Sequence, residues 1–500
     1  MKDLHINRRQ FFVLSASTFG AVYLSQCAFG QSNPPPLKSK QMAQKQKTGL
    51  AEIFLTARYG AVNFAGRQAY LFNYNGQIPG PRIEARAGDT VRIHLTNTLN
   101  QLTNLHYHGL HVSPSGKADN FFLEIPPGET FTYEFTLPEN HPAGTFWYHP
   151  HIHGLTAEQI FGGLAGLFVV RGDLDEIPEI RAAKEEFLVL QDFALSSDGQ
   201  MLAPNPMSQM MAGREGSLVT VNGEVNPNLS IPSGGLLRLR FLNASASRFY
   251  RLVLEDHPLY QIATDSGALA EPVEQKELLL VPGERAEVLI KGDRSPGQYR
   301  LLNLPYDRGG MGMMNGMGMM GGNGMMGGSG MMGGGRRRGQ QPITQETGTL
   351  ATLTYQGTVQ PLLLPTQLLP IEALPPPQIV RQFTLNAAHM TFTINGKTFD
   401  PNRIDTRVRL NTVEDWEITN RRTMMSMDHP FHIHTNSFQV ISRNEIPEPY
   451  LAWRDMVLVH PGEVVRIRIP FRDFSGKTIY HCHISDHGDR GMMGVIVMEG

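Results

Sequence analysis

Ligand-type side chains crowd the two ends of this chain and are nearly absent from its middle. They form four short clusters: His106-Tyr107-His108-Gly109, His149-Pro150-His151, His429-Pro430-Phe431-His432-Ile433-His434, and His481-Cys482-His483 followed by His487 and Met492. The middle third of the chain holds a single histidine, His257. One metal site built from all four clusters therefore needs the first and last parts of the chain to meet in space. The intervening part must act as spacer and scaffold. Any fold that keeps the termini apart is excluded.

The same thirds appear as an internal repeat. Asn75-Gly76, Asn222-Gly223 and Asn395-Gly396 each open a segment that runs on into alternating apolar and polar residues. Examples are Thr90–Leu95, Leu236–Phe241 and Trp416-Glu417-Ile418. Each unit then shows a turn, at Pro127-Gly128-Glu129, Pro282-Gly283-Glu284 and Pro461-Gly462-Glu463, leading into a further alternating run (Thr130–Leu137, Arg285–Ile290, Val464–Ile469). Period-two alternation punctuated by Pro and Gly, with no long 3.6-residue period, predicts an all-β chain of sandwiches. Five hundred residues suffice for several separate cores. We read three consecutive β-sandwich domains, at 47–172, 173–358 and 379–500, with 359–378 as a Pro-rich extended linker.

Residues 307–341 stand apart. This segment of the second domain is glycine with Met311, Met313, Met314, Met317, Met319, Met320, Met325, Met326, Met331 and Met332, ending at Arg336-Arg337-Arg338. Such a chain has much entropy to lose and little to bury, so a mobile insert is expected. Disorder alone favours Ser, Gln or Glu over Met. A soft-metal capture segment is therefore favoured over a passive insertion.

Residues 1–46 read as an export signal and linker. Arg8-Arg9-Gln10-Phe11-Phe12 is a twin-arginine pattern before a mildly apolar stretch to Gly30, with a cleavage site at Ala28-Phe29-Gly30. The expected location is the periplasm or cell envelope. Leu24-Ser25-Gln26-Cys27 is a weak lipobox, and a membrane enters only if Cys27 is lipidated. No other stretch is apolar for long enough to span a bilayer. The cysteines are Cys27 and Cys482; with Cys27 in the leader and Cys482 among the ligands, no disulfide is expected. A net charge of −2 with no long basic run argues against a nucleic-acid partner.

A thiolate, two imidazoles and a distant thioether suit a blue copper centre, where a weak axial Met tunes the potential. The other eight histidines are too many for a closed zinc site, which needs only four ligands. In these four clusters, and over nearly all of the chain after the leader, the sequence resembles the multicopper oxidases, the family of laccases and copper-efflux oxidases. The resemblance implies cupredoxin-like Greek-key sandwiches and four copper ions. It implies a type 1 site of His429, Cys482, His487 and axial Met492, a type 2 copper on His106 and His432, and a type 3 pair on His108, His149, His151, His434, His481 and His483. Cys482 would take up electrons and its neighbours His481 and His483 would pass them to the cluster. Asp119 sits where the family keeps an acidic residue, which makes it a candidate for proton supply; the alternative is a plain turn aspartate. Copper-efflux members place a glutamate after the position of His487. Here it is Gly488, with Asp486 or Asp489 as substitutes. His94, His111 and His153 have no matching ligand role, and His141 and His460 read as loop or turn residues.

The implied activity couples one-electron oxidation of a donor to four-electron reduction of dioxygen to water. Met427 precedes His429 by two residues, where copper-efflux oxidases also carry methionine, and Met424, Met425 and Asp428 crowd the same loop. Thioethers favour Cu(I). The reading is thus a monomeric oxidase of Cu(I), and of phenolic or aromatic amine donors, serving copper tolerance. One rival is a general laccase with the Met segment as a passive lid. Another is a non-enzymatic copper-sequestering or structural protein, like the cell-division homologues, which lack the ligands that this chain has. A nitrite reductase would be a two-domain chain without the His-Cys-His bridge.

Overall fold

The computed structural model describes residues 49–204, 206–309, 348–388, 391–423 and 426–500. The leader with Cys27, the ten methionines of the insert, and Met424 and Met425 lie outside the described residues. No helix among the described residues is long and apolar enough to cross a membrane.

The chain folds as three β-sandwiches. In the first, the sheet ordered Arg67–Tyr74, Leu50–Phe64, Thr90–Asn97, Thr130–Thr136 faces the sheet ordered Gly80–Arg86, Gly166–Arg171, Gly144–His149, His106–His108. Val91, Ile93 and Leu95 from one sheet and Tyr107, Phe146 and Phe168 from the other share one core. The middle sandwich has its own core around Leu239, Phe241, Tyr250 and Val288. The last is built around Trp416, with Phe383 and Tyr480 packed on it at 4.3 and 5.5 Å between ring centroids.

The repeat has a backbone cause. Asn75-Gly76, Asn222-Gly223 and Asn395-Gly396 all have positive φ at both residues and close two-residue hairpin turns, as Asn-Gly favours. In each turn the Asn side chain also cross-links a neighbouring strand. Asn75 Oδ1 accepts from the Thr56 N–H, Asn222 from Val189 and Asn395 from Thr384, at 2.7, 2.9 and 2.8 Å. The Pro-Gly-Glu turns repeat as faithfully. The N–H of Gly128, Gly283 and Gly462 donates to the carbonyl of Asn97, Asn243 and Asn420, and each Asn side chain donates back to the chain just before the turn.

The alternation in Leu236–Asn243 has a different outcome from that in Thr90–Asn97. The latter buries every second residue, but all eight residues of Leu236–Asn243 are buried. Arg238 and Arg240 do not reach solvent. They pair with Glu287 at 2.6 Å each and with Asp175 at 2.6 and 2.7 Å, beneath the first sandwich, whose Thr145 hydroxyl donates to Glu287 at 2.8 Å. Residues 359–378 carry no regular secondary structure. They are docked rather than free: Leu362 and Leu368 donate backbone hydrogen bonds to Gly234 and Ala270, and Leu364, Leu368 and Leu369 pack on the middle sandwich.

Candidate metal centre

The outer sandwiches use one device to present their ligands. A short strand carrying a His-X-His pair lies antiparallel to a strand ending in the next cluster, so His106 faces His149 and His432 faces His481 in register. The two halves meet ring on ring. His106 stacks on His434 at 3.7 Å and His108 on His432 at 3.8 Å between centroids. Eight histidines thereby converge from opposite ends of the chain, in groups close enough to share a metal ion, such as His106–His108–His149 and His151–His434–His481. Beyond this cluster, Cys482 meets His429 and His487 with Sγ to Nδ1 separations of 3.5 and 3.7 Å. His481 and His483 flank Cys482, so one covalent stretch joins the two sites.

All ten histidines are at most 4% exposed. Burial keeps them neutral, which is the ligating form: His149 and His487 are pushed down to about 3 and His481 to about 4. Burial pushes the Cys482 thiol up to about 12, an unfavourable place for a thiolate unless a cation takes it.

The spacing fits metal ions. Two imidazole nitrogens bound at about 2.0–2.1 Å to one tetrahedral ion lie about 3.3 Å apart. His151 and His434 each place Nε2 3.2 Å from His481 Nε2, and His483 Nε2 is 3.2 Å from His108 Nδ1. A thiolate at about 2.3 Å and an imidazole at about 2.0 Å in a trigonal site are about 3.7 Å apart, close to what Cys482 shows. Nε2 of His106, His149 and His432 is buried with no hydrogen-bond partner, which leaves three lone pairs aimed into the cluster. The opposite nitrogens are anchored: His106 Nδ1 on Asp119 at 2.9 Å, His149 Nδ1 on the Pro150 carbonyl at 2.9 Å, His432 Nδ1 on the Asp455 carbonyl at 2.8 Å. Outer partners of this kind orient metal ligands.

Asp119 is no plain turn residue. It is buried, accepts from His106 and from the Tyr107 N–H, and lies 4.0 Å from His434 Nδ1; burial raises its pKa to about 8. The two substitutes for the missing glutamate separate. Asp486 is engaged by the Arg214 guanidinium at 2.9 Å and by the Arg214 N–H at 2.7 Å. Asp489 lines a small cavity with His149, His151, His481, His483 and Gly488, and burial pushes its pKa up to about 6. Met492 is fully buried in the same core as Cys482, and its carbonyl accepts from the Cys482 N–H at 3.0 Å. Met427 is buried before His429, and Asp428 holds His460 at 2.8 Å and Tyr306 at 2.7 Å. Among the described residues His94, His111, His141, His153, His257 and His460 belong to none of the groups that could hold a metal ion.

Sequence reasoning passed over Asp455. Its Oδ1 lies 2.9 Å from His108 Nε2, and Arg285 of the middle sandwich clamps it. The available signal was a carboxylate opening the apolar run Met456-Val457-Leu458-Val459.

Fold and site together define a metalloprotein of cupredoxin-like domains with a cysteine-containing site beside a histidine cluster. Three models described as multicopper oxidase match residues 56–175, 184–315 and 373–499. The chain is 30% identical to a multicopper oxidase of Staphylococcus aureus, over 91% of this chain and 90% of that one. It is 29% identical to the cell division protein FtsP of Dickeya dadantii, over 99% of each. A solved structure, the multicopper oxidase from Campylobacter jejuni described as a metallo-oxidase, superposes with a TM-score of 0.77 at 28% identity, covering 92% of this chain and 93% of that one. The chain belongs to the multicopper oxidase family, whose cofactor is copper.

Proposed function

We propose that this protein is an exported oxidase that couples one-electron oxidation of Cu(I), and of phenols or aromatic amines, to the four-electron reduction of dioxygen to water, in the service of copper tolerance. Copper bound as one type 1, one type 2 and a type 3 pair would supply the redox chemistry. His429, Cys482, His487 and Met492 would hold the first, His106 and His432 the second, and the remaining six histidines the pair. Asp119, on His106 Nδ1, and Asp489, beside the cluster cavity, are the candidate proton sources. The twin-arginine leader carries the export reading, and a monomer suffices for every ligand named.

The observation that carries Cu(I) as donor is where the methionine segment leaves the fold. Gly309 forms a β-bridge with Met427, and the Asp428 N–H donates to the Arg308 carbonyl at 2.8 Å. The start of the insert is thus stitched to the residues preceding His429, where an electron donor must approach. Soft thioethers delivered there select the cuprous ion. The test is deletion of residues 311–332, which removes no described strand. Steady-state kinetics should show Cu(I) oxidation impaired, mainly through a higher KM, with oxidation of bulky phenols spared or improved. Equal loss of both would point to damaged copper loading, and no change in either would leave the segment a passive insertion.

The likeness to the cell division protein FtsP favours a second reading, a non-enzymatic structural or copper-sequestering protein. The complete set of ten histidines and one cysteine, assembled at ligand spacing, supports the oxidase instead. Purified protein that takes up no copper and consumes no oxygen would decide for the structural role, and one that takes up copper without a blue band or oxygen consumption would decide for copper sequestration.

Met492 supplies a finer test. As axial ligand it would lower the potential of the cysteine site. Met492→Leu should raise that potential while leaving the blue band in place, because His429, Cys482 and His487 remain. A redox titration showing an unchanged or lower potential would count against axial ligation.

A further inference from the structure

We propose that the middle sandwich, which contributes no ligand, sets the coordinating nitrogen of one cluster ligand: Arg285, acting through Asp455, holds His108 in the tautomer that presents Nδ1 to the metal.

The geometry of His108 is reversed from that of its neighbours. His106, His149 and His432 are anchored through Nδ1 and leave Nε2 for the cluster. His108 is anchored through Nε2, 2.9 Å from Asp455 Oδ1, and turns Nδ1 toward His483 Nε2 at 3.2 Å. A carboxylate only accepts, so Nε2 must carry the hydrogen and Nδ1 the lone pair. The anchor is itself held from the middle sandwich. Arg285 grips both Asp455 oxygens, through Nη1 at 2.8 Å and through Nη2, and the Ser266 hydroxyl donates to Oδ2 at 3.0 Å. The other guanidinium hydrogens go to the carbonyls of Thr145, Gly283 and Asp265, so all five donors are taken. Arg285 is fully buried and has no freedom to release the carboxylate.

The clamp also accounts for the glycine of His-Tyr-His-Gly. Gly109 has φ +86°, and a Cβ there would lie 2.3 Å from Arg285 Nη2 and 2.5 Å from Asp455 Oδ2. Gly283, two residues before Arg285, is equally close to the cluster, since its Cβ would meet the His483 ring at 2.8 Å. The middle domain therefore packs directly on His483 and reaches His108, in the opposite half of the cluster, through Asp455.

The inference rests on copper occupying the cluster, and Asp455→Asn tests it. An amide that faces His108 with oxygen turns its NH2 on Arg285. The flipped amide donates to Nε2 and forces the wrong tautomer. Cluster copper affinity, read by chelator competition, should fall about 10–100-fold, as for other outer partners of metal ligands. The paired site should also uncouple, with EPR-visible copper beyond the type 1 and type 2 signals. The blue band of the cysteine site reports that the variant is folded. Arg285→Lys, which keeps the charge but cannot grip both oxygens, should weaken the cluster in the same direction and serves if Asp455→Asn fails to fold. Native cluster affinity and native EPR in a folded variant would overturn the proposal, even if the metal-free chain melts earlier, because the pair would then only join domains. A wild-type chain that binds no copper would instead remove the copper reading itself.

Discussion

Cys482→Ser should abolish the blue band and reduce oxidase activity to background while leaving an intact fold. A hydroxyl is a poor ligand for a site that needs a thiolate between two imidazoles. It also removes the sulfur that would link the copper to the covalent stretch running to His481 and His483. The structural cost is small. The backbone bond from the Cys482 N–H to the Met492 carbonyl survives, and the core around Trp416 keeps its apolar packing. A buried hydroxyl without a partner costs about 1–3 kcal/mol, too little to unfold a chain of three separate cores. Copper in the histidine cluster should persist, since none of its ligands changes. Absorption spectroscopy, copper analysis and thermal unfolding together check this. A variant that oxidises donors at the native rate would sink the assignment of Cys482 as the site of electron entry.

The largest loss of stability is expected at a residue that holds no metal ligand, in Glu287→Ala. Glu287 is 1% exposed and neutralises both Arg238 and Arg240, themselves 3% and 0% exposed. Burying a pair of charges gains little net stability, but removing one partner strands the other. The typical cost of such a break is about 3–5 kcal/mol. Asp175 and Glu185 still reach the two arginines and set the lower end of that range. The lost hydrogen bond to Thr145 should also loosen the first sandwich from the second. Calorimetry of the metal-free chain should show a transition several degrees lower, and one that splits as the first domain uncouples. A melting profile matching the wild type would mean that the arginines are solvated in solution.

Much of the architecture was legible because it rests on local chemistry. Asn-Gly turns have few conformations open to them, so their recurrence at Asn75, Asn222 and Asn395 marked three copies of one hairpin. The His-X-His pairs and the His-Cys-His stretch were legible for a similar reason, since a metal site needs soft donors at short spacing. Their confinement to the two ends then implied that the ends meet. Beyond that meeting of the ends, the contacts made between domains could not be read. The polar face of Leu236–Asn243 has the alternation of a solvated strand, yet Arg238 and Arg240 are buried because another sandwich covers them. Asp486 and Asp489 are three residues apart and looked interchangeable. Arg214 claims the first, and the second lines the cluster cavity.

From its sequence alone this protein was determined to be a chain of three sandwiches with ligands for a cysteine site and a histidine cluster. Periodicity, turn chemistry and donor type are properties of short segments and survive in any fold that contains them. Only the tertiary structure decided which nitrogen each histidine offers. That choice depends on the partner of the opposite nitrogen: Asp119 for His106 within one domain, and for His108 an aspartate from the third domain clamped by an arginine from the second. A hydrogen bond between residues 347 positions apart leaves no local trace in a sequence, because its energy depends on where the domains dock.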